Sequence, residues 1–137
     1  MLAYVAHHAA ADRVLADGTT QRVWWEASAK AGNREARAAL VPPRFPQAIS
    51  YLHRWFCELS AARGAGMSGP LPITHVGIDA WSRLMEIRPF PHEVAALFAM
   101  DSAWLHALRD APKDEANAEA PAPLRAWPSQ KAEPSNA

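Results

Sequence analysis

Two helical patterns punctuated by prolines, between Pro70 and Leu108, restrict this chain most. Thr74 precedes the first, and a threonine hydroxyl at that position accepts a hydrogen bond from an unpaired first-turn amide. Ile78, Trp81, Leu84 and Met85 then recur at helical spacing as one apolar stripe. Ile87-Arg88-Pro89-Phe90-Pro91 breaks the pattern. Pro91 suits the first position of a new helix, where its missing amide costs little. Val94, Leu97, Phe98, Trp104, Leu105 and Leu108 share a face of that second helix. The two stripes most simply face each other as a helical hairpin over about 74–109.

Asp101 points with the stripe, because it lies three or four residues from Leu97, Phe98, Trp104 and Leu105. An unpaired buried charge is very expensive, so the carboxylate needs partners or an edge position. One reading is a structural acid that bonds Arg83, an indole N–H or a helix N-terminus. The other is a perturbed catalytic acid, but no second carboxylate or histidine stands at a pairing distance in sequence.

Pro46 opens another strong helix, to about residue 62, with Ile49, Leu52, Trp55, Phe56 and Leu59 toward the apolar side. Arg54, Glu58 and Arg63 suit the solvent side, and Arg54 with Glu58 forms an i,i+4 pair. Cys57, the single cysteine, reads as a small core residue and excludes an intramolecular disulfide. Upstream, helices are expected over Met1–Asp17, Gln21–Ala31 and Arg34–Leu40, with Val23, Trp24 and Ala27 inward and Trp25 on the opposite side. Large apolar residues are few there, and short helices are weak alone, so this part leans on the rest or on a partner.

The expected fold is all-α: a small bundle with the 74–109 hairpin packed on the 46–62 helix. A helical region over 1–41, a core domain over 42–110 and a tail over 111–137 divide the chain. The tail is rich in Pro, Ala, Glu, Lys and Ser and should be disordered in isolation. Trp127 is its exception, either a docking anchor or a residue without a structural role. A length of 137 residues and 50% hydrophobic content suffice for one packed domain.

Composition excludes several function classes. The formal net charge is zero, whereas nucleic-acid binders usually carry a basic patch. Between Thr74 and Arg109 the acids Asp79, Glu86, Glu93 and Asp101 outnumber Arg83, Arg88 and Arg109, which argues against a helix-turn-helix DNA reader. The six histidines form no His-Glu-x-x-His or Cys/His cluster, so no metal and no cofactor is expected. Gly-x-Ser-x-Gly and paired glycosidase-type acids are missing, and no catalytic residue is assigned. The glycines from Gly64 to Gly69 lack the Lys-Ser/Thr of a phosphate loop. They read as a connector or contact loop with Met67 and Leu71 as apolar anchors. No apolar run is long enough to span a bilayer, and no secretory signal opens the chain.

Three segments carry a family resemblance. They are Tyr51-Leu-His-Arg-Trp-Phe-Cys-Glu-Leu-Ser-Ala-Ala-Arg-Gly, Gly66-Met-Ser-Gly-Pro-Leu-Pro-Ile-Thr with Ile78-Asp-Ala-Trp-Ser-Arg-Leu, and Glu93-Val-Ala-Ala-Leu-Phe-Ala-Met-Asp-Ser-Ala-Trp-Leu. As a set, over about Arg37 to Leu108, they resemble the tail assembly chaperones of long-tailed bacteriophages. Gly77 departs from the acidic residue expected in the first turn, and Phe90 from a small capping residue. The resemblance implies a non-enzymatic protein that coats the tape-measure protein, keeps it soluble and helps recruit tail-tube subunits. It also implies residence in the infected host's cytoplasm and absence from the mature virion. Trp25, Met67, Leu71 and Trp127 are the candidate partner contacts. The competing expectations are a minor tail component retained in the virion and a small helix-turn-helix regulator.

Overall fold

The computed structural model describes residues 1–110. It is a helical bundle, α1 (Leu2–Asp12), α2 (Gln21–Lys30), α3 (Arg34–Ala39), α4 (Ser50–Ala61), α5 (His75–Leu84) and α6 (Pro91–Arg109). A 3-10 turn, Gln47–Ile49, leads into α4, and β1 (Ala65–Gly66) pairs antiparallel with β2 (Gly69–Pro70) between α4 and α5.

The long helix α6 is the axis of the molecule. It packs most extensively on α1, then on α4, and touches α5 through a ring contact between Phe98 and His75. Val5, Leu52, Trp55, Phe56, Leu59, Ile73, Ile78, Leu97 and Met100 form one buried cluster. The core therefore runs across residue 41 into the first helix. Val5, Ala9 and Ala11 supply the buried side of α1, and alanines allow its close approach.

Local chemistry sets the ends of the elements. The first helix stops at Asp12, not Asp17, because Val14 bridges Thr20 antiparallel and Leu15 N–H donates to Thr19 O at 2.8 Å. Gly18 turns that loop with φ at 81°. Asn33 caps α3, its side chain accepting from the Glu35 and Ala36 amides. Thr74 caps α5, Oγ1 accepting from Gly77 N–H at 3.0 Å. A Cβ at Gly77 would stand 3.3 Å from that Oγ1, so glycine leaves the cap uncrowded where an acid was expected. Phe90 has no side-chain acceptor, and α6 is capped from the other direction: Glu93 Oε2 accepts from Phe90 N–H at 2.7 Å.

Several placements differ from the sequence reading. Leu84 is 84% exposed and Met85 is also exposed, because α5 turns only Ile78 and part of Trp81 to the core. Val23 and Ala27 face solvent, since α2 turns Gln21, Trp24 and Trp25 inward instead, Trp25 against His7 of α1. Cys57 is exposed on α4. Arg63, assigned to the solvent side, folds back over Trp104 with its guanidinium carbon 4.2 Å from the ring centroid. Leu52, Trp55, Phe56, Leu59, Ile78, Leu97, Asp101 and Leu105 are buried, and Trp81, Val94, Phe98, Trp104 and Leu108 half-buried.

Candidate functional site

The surface that stands out begins where α4 ends. Arg63 Nη1 donates to Leu71 O at 3.2 Å and Nη2 to Ser60 Oγ at 2.7 Å, fixing both arms of the β1–β2 loop to the end of α4. Leu71 N–H donates to Gly64 O at 2.9 Å and closes the arms. Gly69 takes φ 106°, which a side chain would resist. A Cβ at Gly66 would lie 3.0 Å from Leu71 Cδ2, so glycine lets that leucine lie across the loop. Met67 projects fully exposed from the tip.

The chain then dives inward. Ile73 is buried, and its N–H donates to Asp101 Oδ2 at 2.9 Å. Asp101 Oδ1 meets Arg63 Nη2 at 2.7 Å as an ion pair, with both side chains almost fully buried. Asp101 thus has the partners its burial requires, and its cation is Arg63, not Arg83. Arg83 instead pairs with Asp79 on the outer flank of α5 at 2.7 Å. The sequence reading set Arg63 on the solvent side with Arg54 and Glu58, because a charged residue at the end of a helix ordinarily faces water.

Between the α4 end, the loop and α5 lies a groove of 440 Å³, walled by Leu59, Leu71, Pro72, Ala80, Trp81 and Leu84. Trp81 is oriented by Glu58, whose Oε2 accepts from Nε1 at 3.1 Å. On the other side of α5 is a second groove of 790 Å³, lined by apolar Ile78, Ile87 and Val94 together with His75, Asp79, Arg83, Glu86 and Arg88. Its charges have both signs, so it has no strong preference for an anion or a cation.

Met67 and Leu71 therefore belong to one loop, and Leu71 shares the groove with Leu84. Trp25 is elsewhere, half-buried on α2 with its ring centroid 5.9 Å from that of His7. Trp127 lies outside the described residues. Val76 and Leu84, exposed at 77% and 84%, were missed as surface candidates. Their signal was legible: Val76, Ala80 and Leu84 repeat every fourth residue, a second stripe beside Ile78 and Trp81.

The nearest approach to reactive chemistry is an aromatic and histidine cluster. Tyr4 touches His8, Phe45 and His53, with centroids 4.4, 4.9 and 5.6 Å away. His53 also lies 3.8 Å from Cys57 Sγ. Burial lowers the His53 pKa, and burial with the Glu58 charge raises that of the Cys57 thiol. A protonated thiol beside a neutral imidazole is the reverse of an activated nucleophile pair. Among the described residues no group of three or more His, Cys, Asp or Glu is placed to hold a metal ion.

The family model described as phage tail assembly chaperone matches residues 28–106. The chain belongs to the phage tail assembly chaperone family. No curated protein and no solved structure matches it. The matched stretch of this chaperone starts within α2 and ends within α6, so it holds the loop, α5 and both grooves. Helix α1, which covers much of α6, lies before it. Among the described residues no helix is long and apolar enough to cross a membrane.

Proposed function

We propose that this chaperone binds the tape-measure protein of its phage and helps recruit tail-tube subunits. It acts in the host cytoplasm, without catalysis, and leaves before the virion is complete. One observation carries the reading: within the family-matched residues, exposed Leu71 and Leu84 line an apolar groove, and Met67 is exposed at the tip of the adjoining loop. Exposed contiguous apolar surface on a soluble fold marks an interaction site. A chaperone for a long apolar client needs such a face, because each contact removes client surface from water at about 25 cal/mol per Å².

The test is co-expression with the tape-measure protein from the same gene cluster, followed by size-exclusion chromatography. Co-elution of a soluble complex is expected. Met67→Asp with Leu71→Asp should leave the helical circular dichroism unchanged and return the client to the insoluble fraction. A client that stays insoluble beside the unaltered chain, which then elutes alone, sinks the assignment. Analysis of purified virions completes the test, since the chain should be missing from them.

A further inference from the structure

Helices α2 and α3 are attached to the bundle without sharing its core. They pack mainly on each other, with α2 less extensively on α1. No described residue from 6 to 48 belongs to the buried apolar cluster. Segments with so few buried apolar contacts open at low cost. The pair is pinned at its start, where Gln21 N–H donates to Arg13 O at 2.9 Å and Gln21 Oε1 accepts from Arg13 Nη2 at 2.7 Å. Past that pin the attachment runs through rings. His7 on α1 meets Trp25 of α2 with centroids 5.9 Å apart, and its Nε2 bonds Ala39 O at the end of α3 at 2.8 Å. His53 on α4 lies edge-on to Phe45 of the connector at 5.3 Å and to Tyr4 of α1 at 5.6 Å. Tyr4 in turn carries His8 at 4.4 Å.

We propose that residues 22–45 form an acid-sensitive flap, latched onto α1 and α4 by the neutral rings of His7, His8 and His53. Protonation of His8 and His53 swings it open about Gln21, while α1, α4 and α6 stay folded. Hydrogen-bonding geometry sets the direction. His7 Nε2 donates to Ala39 O, so its Nδ1 is the bare nitrogen, and that atom is buried without a partner among the described residues. His8 Nε2 is likewise buried without a partner there. A proton on either atom makes a buried N–H with no acceptor, a cost that exposure to water removes. The charges around His8 act the same way. Arg22 on α2 and the imidazoles of His7 and His53 oppose a cation there, and only Asp12 on its own helix favours one. His53 faces Tyr4, Phe45 and the Cys57 thiol, none of which offsets the burial of a charge. Burial thus leads in lowering both pKa values below those of the opened chain. The latch is complete above about pH 6.5 and is lost as pH falls through the lowered values. Opening carries Trp25 off His7 and into solvent.

Hydrogen exchange of the full chain, read by mass spectrometry at about pH 7.5 and about pH 5.5 and divided by the intrinsic rate at each pH, tests this. Protection of residues 22–45 should fall roughly tenfold or more at the lower pH, since each imidazole that charges on opening contributes up to about tenfold per pH unit. Protection within α4 and α6 should fall much less. His8→Gln with His53→Gln should remove most of the response. His8→Phe keeps a ring on Tyr4 and cannot charge, so it should reduce the response even if the glutamine pair loosens the flap at every pH. Protection of residues 22–45 that is the same at both pH values overturns the proposal. So does an equal loss throughout α4 and α6, which is global unfolding and not a flap. A response as large in both variants as in the wild type overturns the assignment to these rings. Each readout is of the chain alone, so it stands or falls apart from client binding.

Discussion

Replacing Asp101 with alanine should be among the most damaging single changes in the molecule. Two groups depend on this carboxylate. Oδ2 accepts the buried Ile73 N–H at 2.9 Å, and Oδ1 faces Arg63 Nη2 at 2.7 Å. The side chains of Arg63 and Asp101 are only 7% and 4% exposed, so water cannot take over either role. Removing one partner of a buried ion pair costs about 3–5 kcal/mol, chiefly because the other charge is left uncompensated. A domain of this size has about 5–15 kcal/mol in total, so Asp101→Ala removes a large share. With about 4 °C per kcal/mol, the midpoint of thermal unfolding falls by about 12–20 °C. Asp101→Asn keeps an acceptor for Ile73 N–H and loses only the charge, so it should fall between the two. Urea titration followed by tryptophan fluorescence measures all three proteins. A cycle with Arg63→Met should give a coupling of at least about 1 kcal/mol between positions 63 and 101. A loss below 1 kcal/mol for Asp101→Ala would show that the charge is not buried, and the account of this node would fail.

Two further outcomes are expected. Burial, followed by the His7 and Arg22 charges, lowers the His8 pKa against the opposing pull of Asp12, and burial lowers that of His53. Both native values sit below those of the unfolded chain, so the unfolded chain binds more protons between them. Stability is complete above about pH 6.5 and drops as pH falls through the depressed native values. The urea midpoint should decrease from pH 7.5 to pH 5.5, with a smaller decrease in His8→Gln; a midpoint flat over that range contradicts the placement of these imidazoles. Glu93→Ala should cost about 2–3 kcal/mol, because the buried carboxylate caps the Phe90 amide at 2.7 Å and accepts the Tyr51 hydroxyl at 2.8 Å. The hydrogen bond to Glu93, with burial and the carboxylate charge, raises the Tyr51 pKa, so phenol ionisation should move down in Glu93→Ala, and an unmoved ultraviolet titration would disprove the contact.

Short-range signals carried the helices well. Thr74, Pro91, Gly32-Asn33 and Pro42-Pro43 act through local hydrogen bonds or fixed φ, which the sequence states directly. The helical class followed from such signals, whereas the family came from the resemblance of whole segments. The side-chain placements that sequence missed depend on tertiary neighbours. Leu84 fits the Ile78–Trp81 period, but α5 meets the core along so narrow a strip that Leu84, about 120° round the helix from Ile78, is left in water. Cys57 fails as a core residue for the same reason, since the face of α4 toward α6 is already filled by Leu52, Trp55, Phe56 and Leu59. Arg63 stands four residues beyond Leu59, but nothing local marks a charged residue there as buried, because its burial depends on Asp101, 38 positions away in sequence. Val5 and Ala9 were invisible as core because alanine-rich helices look weak until α6 lies against them.

The candidate surface is held by polar hooks more than by packing. Helix α5 meets its neighbours sparingly, through Ile78, Trp81 and a ring contact between His75 and Phe98 with centroids 4.4 Å apart. What fixes its start is the Asp101 bond to Ile73 N–H, directly before the Thr74 cap. What fixes the loop is Arg63, which the same carboxylate neutralises. One buried acid on α6 thus positions Leu71, the groove and the exposed face of α5 together. Loss of Asp101 should release that surface before it melts α1 and α6, whose contact is apolar and independent of the acid. Hydrogen exchange in Asp101→Asn would separate the two: faster exchange confined to residues 64–84 supports this division, and uniform acceleration through α1 and α6 refutes it.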